Sequence, residues 1–205
     1  MRLTEWFRAE LSPRARLAVL GAGALLVVIA AAPLWHLTMF AGQFPEGLRL
    51  GIYSWKLVGG NGGADLQGIN ILNHYIGMQE IHAADFVEMK FIPFALGALF
   101  LLGARAATFA RVQDLIDLTV LFGYFCVFSV ATFGYRMWSY GHTLSPEAPI
   151  QVPAFTPPVI GHQRIANFDV YSLPGLGTYA AVLYGLVLVA ALVIEARRHG
   201  VWGRR

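Results

Sequence analysis

The stretch LAVLGAGALLVVIAAAPL, Leu17 to Leu34, decides how the chain is read. It carries no charge, and its 18 residues approach the ~20 that cross a ~30 Å hydrocarbon core as helix. Three further runs share its character: Phe91–Phe109, broken by charge only at Arg105, Leu118–Tyr135 and Leu176–Ile194. None alternates with period two, so helices rather than strands are expected. Gly21, Gly23, Gly97 and Gly103 lie inside the runs, where small residues permit close helix contact. Of 205 residues, 57% are apolar and only 13% charged, about half the charged share of an ordinary soluble domain. That excludes a nucleic-acid binder built on a basic surface and argues against a disordered chain. A single cysteine, Cys126, excludes an intrachain disulfide framework. The expected architecture is all-α: a four-helix transmembrane bundle, a single membrane domain over 1–205. Its spans lie at about 17–35, 91–109, 116–135 and 175–195, and two long loops, 36–90 and 136–174, form a small cap.

Charge placement predicts orientation. Arg2, Arg8, Arg14 and Arg16 precede the first run, Arg105 and Arg111 lie in the link between the second and third, and Arg197, Arg198, Arg204 and Arg205 follow the fourth. The long loops hold Arg49, Lys56, Lys90, Arg136 and Arg164 against Glu46, Asp65, Glu80, Asp85, Glu88, Glu147 and Asp169. The positive-inside rule then puts both termini in the cytoplasm and both loops outside. An Arg-rich start followed by an apolar run and AAAP also fits a cleaved signal peptide. An uncleaved helix is the favoured reading; cleavage would leave three spans.

The loops make up nearly half the protein and are too long to be mere connectors. The first opens WHLTMFAGQFPEGLRLGIYSWKLVGG, in which Leu48–Val58 suits a strand or an amphipathic interfacial segment. GGNGG, Gly59–Gly63, must turn. ADLQGINILNHYIGMQEIHAADF then reads as one or two short helices, with Asp65 and Asn70 as possible caps. In the second loop, Pro146, Pro149, Pro153, Pro157, Pro158 and Pro174 suppress helix, so an extended, irregular segment lying across the first loop is expected. Trp35, Tyr53, Trp55, Tyr75, Trp138 and Tyr140 suit a headgroup belt.

Five of six histidines and four of five methionines fall in these loops. Imidazole and thioether are copper ligands, thioether favouring Cu(I). His74, Met78 and His82 are spaced four apart and form one row if Asn73–Ala83 is helical. With His142 or His162 they make the candidate copper site; hydrogen bonding of the histidines and packing of Met78 is the competing reading. Two histidines near one membrane surface can instead ligate a b-type haem, and His36 and His142 are the geometric candidates. No CxxCH is present, which excludes covalent c-type haem. A quinone at an aromatic rim is a further option. Asp114 and Asp117 read as interfacial acids beside Arg111, in a neighbouring-helix ion pair or at the surface, Arg105 as snorkelling inward, and Cys126 as helix packing. No Ser–His–Asp order, HExxH, GxGxxG or Walker motif is convincing, so an enzyme is disfavoured.

LNHYIGM, Leu72–Met78, belongs to a set of stretches with a familiar order: APLW at Ala32–Trp35, QFPEGL at Gln43–Leu48, INILNHYIGM at Ile69–Met78, YGH at Tyr140–His142, PPVIG at Pro157–Gly161 and NFDVYSLPGLG at Asn167–Gly177. In this order the chain resembles an uncharacterised family of bacterial four-span membrane proteins. Their genes often accompany those of nitrous-oxide-reductase maturation, copper chaperones included. The resemblance implies an inner-membrane accessory or assembly factor for a periplasmic copper or respiratory enzyme, with other membrane or periplasmic subunits as partners. It singles out Asn73, His74, Tyr75, Gly77 and Met78, then His142, Asn167 and Tyr171, without assigning any of them a catalytic role. The alternatives are a structural subunit of a larger membrane complex and a haem- or quinone-binding electron-transfer module.

Overall fold

The computed structural model describes residues 3–201; Arg2, Arg204 and Arg205 lie outside the described residues. The helices are α1 (Leu3–Phe7), α2 (Pro13–Ala31), α3 (Ala64–Tyr75), α4 (Glu88–Phe109), α5 (Val112–His142) and α6 (Leu176–Arg198). The strands are β1 (Trp35–Ala41), β2 (Phe44–Ile52), β3 (Leu57–Gly59), β4 (Gly161–Ile165) and β5 (Phe168–Pro174). Four helices, α2, α4, α5 and α6, are long and apolar enough to cross a membrane. The chain is therefore not an all-α bundle. It is a mixed α/β fold in which a five-stranded antiparallel sheet, ordered β3-β2-β1-β5-β4, stands on one end of the helices.

Each long helix has a local reason to start or stop. Pro13 opens α2, and the Ser12 hydroxyl accepts from the Ala15 N–H as its N-cap. The helix ends at Ala31, ahead of Pro33, and Trp35 is already strand, so the first apolar run is shorter as helix than its hydropathy suggests. Between α4 and α5, Ala110 takes the left-handed conformation (φ 55°) that closes a helix, and α5 begins two residues later. The α5 helix has 31 residues. At 1.5 Å each it is about 46 Å long, well beyond a ~30 Å core. Its final turns leave the bundle: Phe133 packs on Trp35 with ring centroids 5.0 Å apart, and Tyr140 is buried in the cap.

The bundle core runs through Val19, Ala22, Leu26 and Ile29 of α2, Leu96 and Leu99 of α4, Leu115, Leu118 and Phe122 of α5, and Tyr184 and Leu188 of α6. Phe122 and Tyr184 meet edge to face at 4.7 Å. The opposite surfaces expose Leu20, Val27, Phe94, Leu101, Val127, Val130, Leu183 and Leu186, as helices facing lipid do. At the tail end of the bundle, the fully buried Glu195 accepts from the Ser12 N–H and hydroxyl and pairs with Arg198 at 3.2 Å. Asp114 does pair with a neighbouring helix, but its partner is Arg105 of α4, at 3.1 Å, rather than Arg111.

The α2 and α6 helices pack together and continue directly into β1 and β5, which pair with each other. The two passages are stitched. The Gly175 N–H donates to Leu34 O (2.8 Å), the Gly177 N–H to Pro33 O (2.9 Å) and the Thr178 hydroxyl to Leu34 O. A side chain on Gly175 would collide with the Pro33 carbonyl, so the close approach requires glycine. The two long loops thus join through a β ladder.

Candidate functional site

Strand alternation divides the sheet into two unlike faces. Leu37, Met39 and Ala41 of β1, Leu48 and Leu50 of β2, and Phe168, Val170 and Ser172 of β5 turn inward. That face is covered by Ile69, Leu72 and Ile76 of α3, by Met78 and Ile81, and by Tyr140 at the end of α5. The segment after α3 folds back along it. Gly77 turns with φ +78°, and Asn70 holds Ile81 by both its N–H (2.8 Å) and its carbonyl (3.3 Å). Asn73 donates to Gln79 O. The Pro-rich segment docks on this turn, with the Ser145 N–H donating to Gly77 O and the Ile150 N–H to Tyr75 O.

This arrangement corrects the expected copper row. The α3 helix stops at Tyr75, so Asn73–Ala83 is not one helix. Met78 is buried in the cap core, His74 is exposed, and His82 is exposed beside Glu80 (3.2 Å). His142 stacks on Trp138 (4.6 Å) and its Nδ1 meets Trp138 O at 2.9 Å. His162 lies on β4, its Nε2 2.8 Å from Asp169 Oδ1 and its ring 4.4 Å from that of Tyr171. Each of the four histidines has its own surroundings. Among the described residues no three His, Cys, Asp or Glu side chains gather into a metal-holding group. The suggested caps also take other work: Asp65 accepts from the Arg49 N–H (2.9 Å) and from Asn61 (2.8 Å), and Asn70 clasps Ile81. The haem pair is likewise split. His36 points from β1 to the open face, whereas the end of α5 that carries His142 packs into the core under the covered face.

The open face is where exposed, chemically varied side chains collect. Strand register lines up His162, Tyr171, Thr38 and Arg49 across β4, β5, β1 and β2. One row nearer the bundle stand Leu173, His36, Gly51 and Val58; one row farther stand Arg164, Asp169 and Phe40. Phe40 meets Tyr171 edge to face at 5.7 Å, and its ring lies over Gly47, where any Cβ would intrude. Two histidines, two arginines, an aspartate and two aromatic rings thus share one solvent-facing surface. A groove of about 280 Å³ runs along its β1–β2–β3 side, lined by His36, Thr38, Arg49, Gly51, Tyr53 and Val58.

As candidate site residues the sequence singles out His36 and His162, in different roles, and Arg49 and Asp169 stand out in it only as loop charges, Thr38 and Phe40 not at all. The available signal was the period-two alternation of WHLTMFA and FDVYSLP, which places alternate residues on one side of a strand. No family model and no curated protein matches the chain.

Proposed function

We propose that the protein is a multi-pass accessory or assembly factor of a bacterial inner membrane, with both termini in the cytoplasm and the cap in the periplasm. Its work there is to dock a protein partner on the open sheet face, and that partner belongs to the assembly of a copper or other respiratory enzyme. The observation that carries the reading is the two-sidedness of the cap. One face is closed by α3 and the Pro-rich segment, while the other presents Phe40, Tyr171, His162, Asp169 and Arg164 uncovered. Aromatic and arginine side chains within a polar surround are the composition of protein interfaces. The sidedness is supported by the basic residues at the tail end of the bundle against the mixed charges of the cap. The copper setting rests on the resemblance to proteins encoded with nitrous-oxide-reductase maturation genes. With Met78 in the cap core and the histidines in separate surroundings, copper is assigned to the partner and the docking surface to this chain.

A photo-crosslinking amino acid at Tyr171 or Phe40, in cells expressing the full chain, tests this. The expected outcome is a crosslink to the periplasmic copper enzyme or its copper chaperone, lost when the probe is moved to Val127 in the bundle. Crosslinks confined to a membrane complex that holds no copper enzyme would replace the reading with that of a structural subunit.

A further inference from the structure

The groove on the open face begins beside the end of α2, and its height along that helix can be read from hydrogen bonds. The β2–β3 turn, Tyr53-Ser54-Trp55-Lys56, folds onto the end of α2. Both the Trp55 indole N–H (3.2 Å) and the Ser54 hydroxyl (3.3 Å) donate to Ala30 O, a carbonyl in the last turn of the helix. That helix has 19 residues, about 28 Å at 1.5 Å each, so Ala30 lies where the hydrocarbon core ends. Trp55 is 53% exposed although almost wholly apolar, as a ring at the headgroup level is. The Lys56 ammonium stands 4.5 Å from the Trp55 ring centre and 5.3 Å from that of Tyr53. Its charged end is thus held at the headgroup layer, which extends roughly 5–7 Å beyond the core on each side.

The groove rises from this turn. Tyr53 is its lower wall, and its ring lies 3.3 Å from where a Cβ on Gly51 would stand. His36 lies opposite Gly51, and Arg49, opposite Thr38, is two residues farther up. Two strand residues rise about 7 Å, a distance that an extended Arg side chain covers. The side chains of His36 and Arg49 have no hydrogen-bond or ion-pair partner among the described residues, and Lys56 touches only aromatic rings. Two nitrogen donors, His36 and the permanent cation Arg49, therefore line the cleft, and the Lys56 ammonium, a second permanent cation, stands beside its Tyr53 wall. The α2 helix, whose end the turn caps, exposes Leu20 and Val27, apolar surface that acyl chains would cover.

We propose that this groove binds the phosphate of an anionic phospholipid headgroup from the leaflet on the cap side, with Arg49 and Lys56 as its charge partners and His36 as a hydrogen-bond donor. The guanidinium presents paired N–H groups to phosphate oxygens, whereas the ammonium acts as a point charge. A headgroup held here fixes the height and tilt of the sheet, and leaves the β4–β5 side of the open face free. The site stands whether or not a protein docks on that side.

The full chain, reconstituted in nanodiscs of phosphatidylcholine containing spin-labelled phosphatidylglycerol or spin-labelled phosphatidylcholine, reports the preference directly. The unmodified protein is expected to hold phosphatidylglycerol in excess. Removing each charge by Arg49→Gln or Lys56→Gln should lower that preference about fivefold. Arg164→Gln removes an equal charge from the far row of the same face and should leave it unchanged. Arg49→Lys keeps the charge and should retain most of the preference, which separates loss of lipid from loss of fold. Absence of preference in the unmodified protein, or an equal loss in Arg164→Gln, would overturn the site. Displacement of the labelled lipid by millimolar inorganic phosphate would overturn the lipid assignment in favour of a free anion.

Discussion

Met78 and His74 show how four positions of separation mean different things on and off a helix. Spaced as i and i+4, they would share a helix face. Gly77 intervenes with φ +78°, and the chain turns back, so Met78 enters the cap core with Ile76 and Ile81 while His74 stays in water. A buried thioether contributes packing, and deleting it leaves a cavity. Met78→Ala is expected to destabilise the cap by about 2–3 kcal/mol, and His74→Ala by less than about 0.5 kcal/mol. Thermal unfolding in detergent, followed by near-ultraviolet circular dichroism, separates the two; equal, small shifts would contradict the burial of Met78. Asn70 and Asn73 belong to the same turn and hold it with side-chain amides, so the distinctive INILNHYIGM stretch is largely the chemistry of closing one face of the sheet.

At the scale of elements, the β1–β5 pair decides the molecule. It joins segments from opposite ends of the chain and sets which residues face outward. A shift of β1 by one residue against β5 would send Leu37 and Met39 into water and His36 into the core. Thr38 and Tyr171 stand directly opposite, and opposite antiparallel residues lie about 4.5–5.5 Å apart at Cα, within the window for a disulfide. Thr38→Cys with Tyr171→Cys, on a Cys126→Ala background, should therefore oxidise to one intrachain bridge. Thr38→Cys with Ser172→Cys should not, because Ser172 points to the covered face. Free-thiol counting by mass spectrometry checks both pairs. A second link sits beside the cap, where Arg136 of α5 bonds both Glu88 oxygens (3.1 and 3.2 Å) and Asp85 O (2.6 Å), tying the start of α4 to the upper turns of α5.

For the whole molecule, the sheet and the tails lie at opposite ends of the long helices, so a single orientation carries the docking proposal. Membrane-impermeant maleimide should label Thr38→Cys in intact spheroplasts and Arg8→Cys only after permeabilisation, again without Cys126. The reverse pattern would put the cap in the cytoplasm and remove the basis for periplasmic docking. The bundle was legible because apolar composition over 18–19 residues is a one-dimensional signal. The sheet was not, for a physical reason. WHLTMFA and FDVYSLP alternate, but each is only seven residues long, is followed directly by Gly, and buries one face only once its partner arrives from the far end of the chain. The open face inherits that difficulty, since His162 and Arg49 become neighbours in a row only through the register of β4, β5, β1 and β2.

What the chain determined by itself is therefore the part in which local composition suffices: four long apolar helices, each satisfying its own backbone within one segment. The tertiary structure alone decided that Leu34 and Gly175 lock together, that the two loops become one sheet, and that His36, Arg49, Tyr171 and His162 share a surface while His74 and Met78 part. A strand completes its hydrogen bonds and buries its apolar side only against another strand. No single segment can specify that pairing on its own.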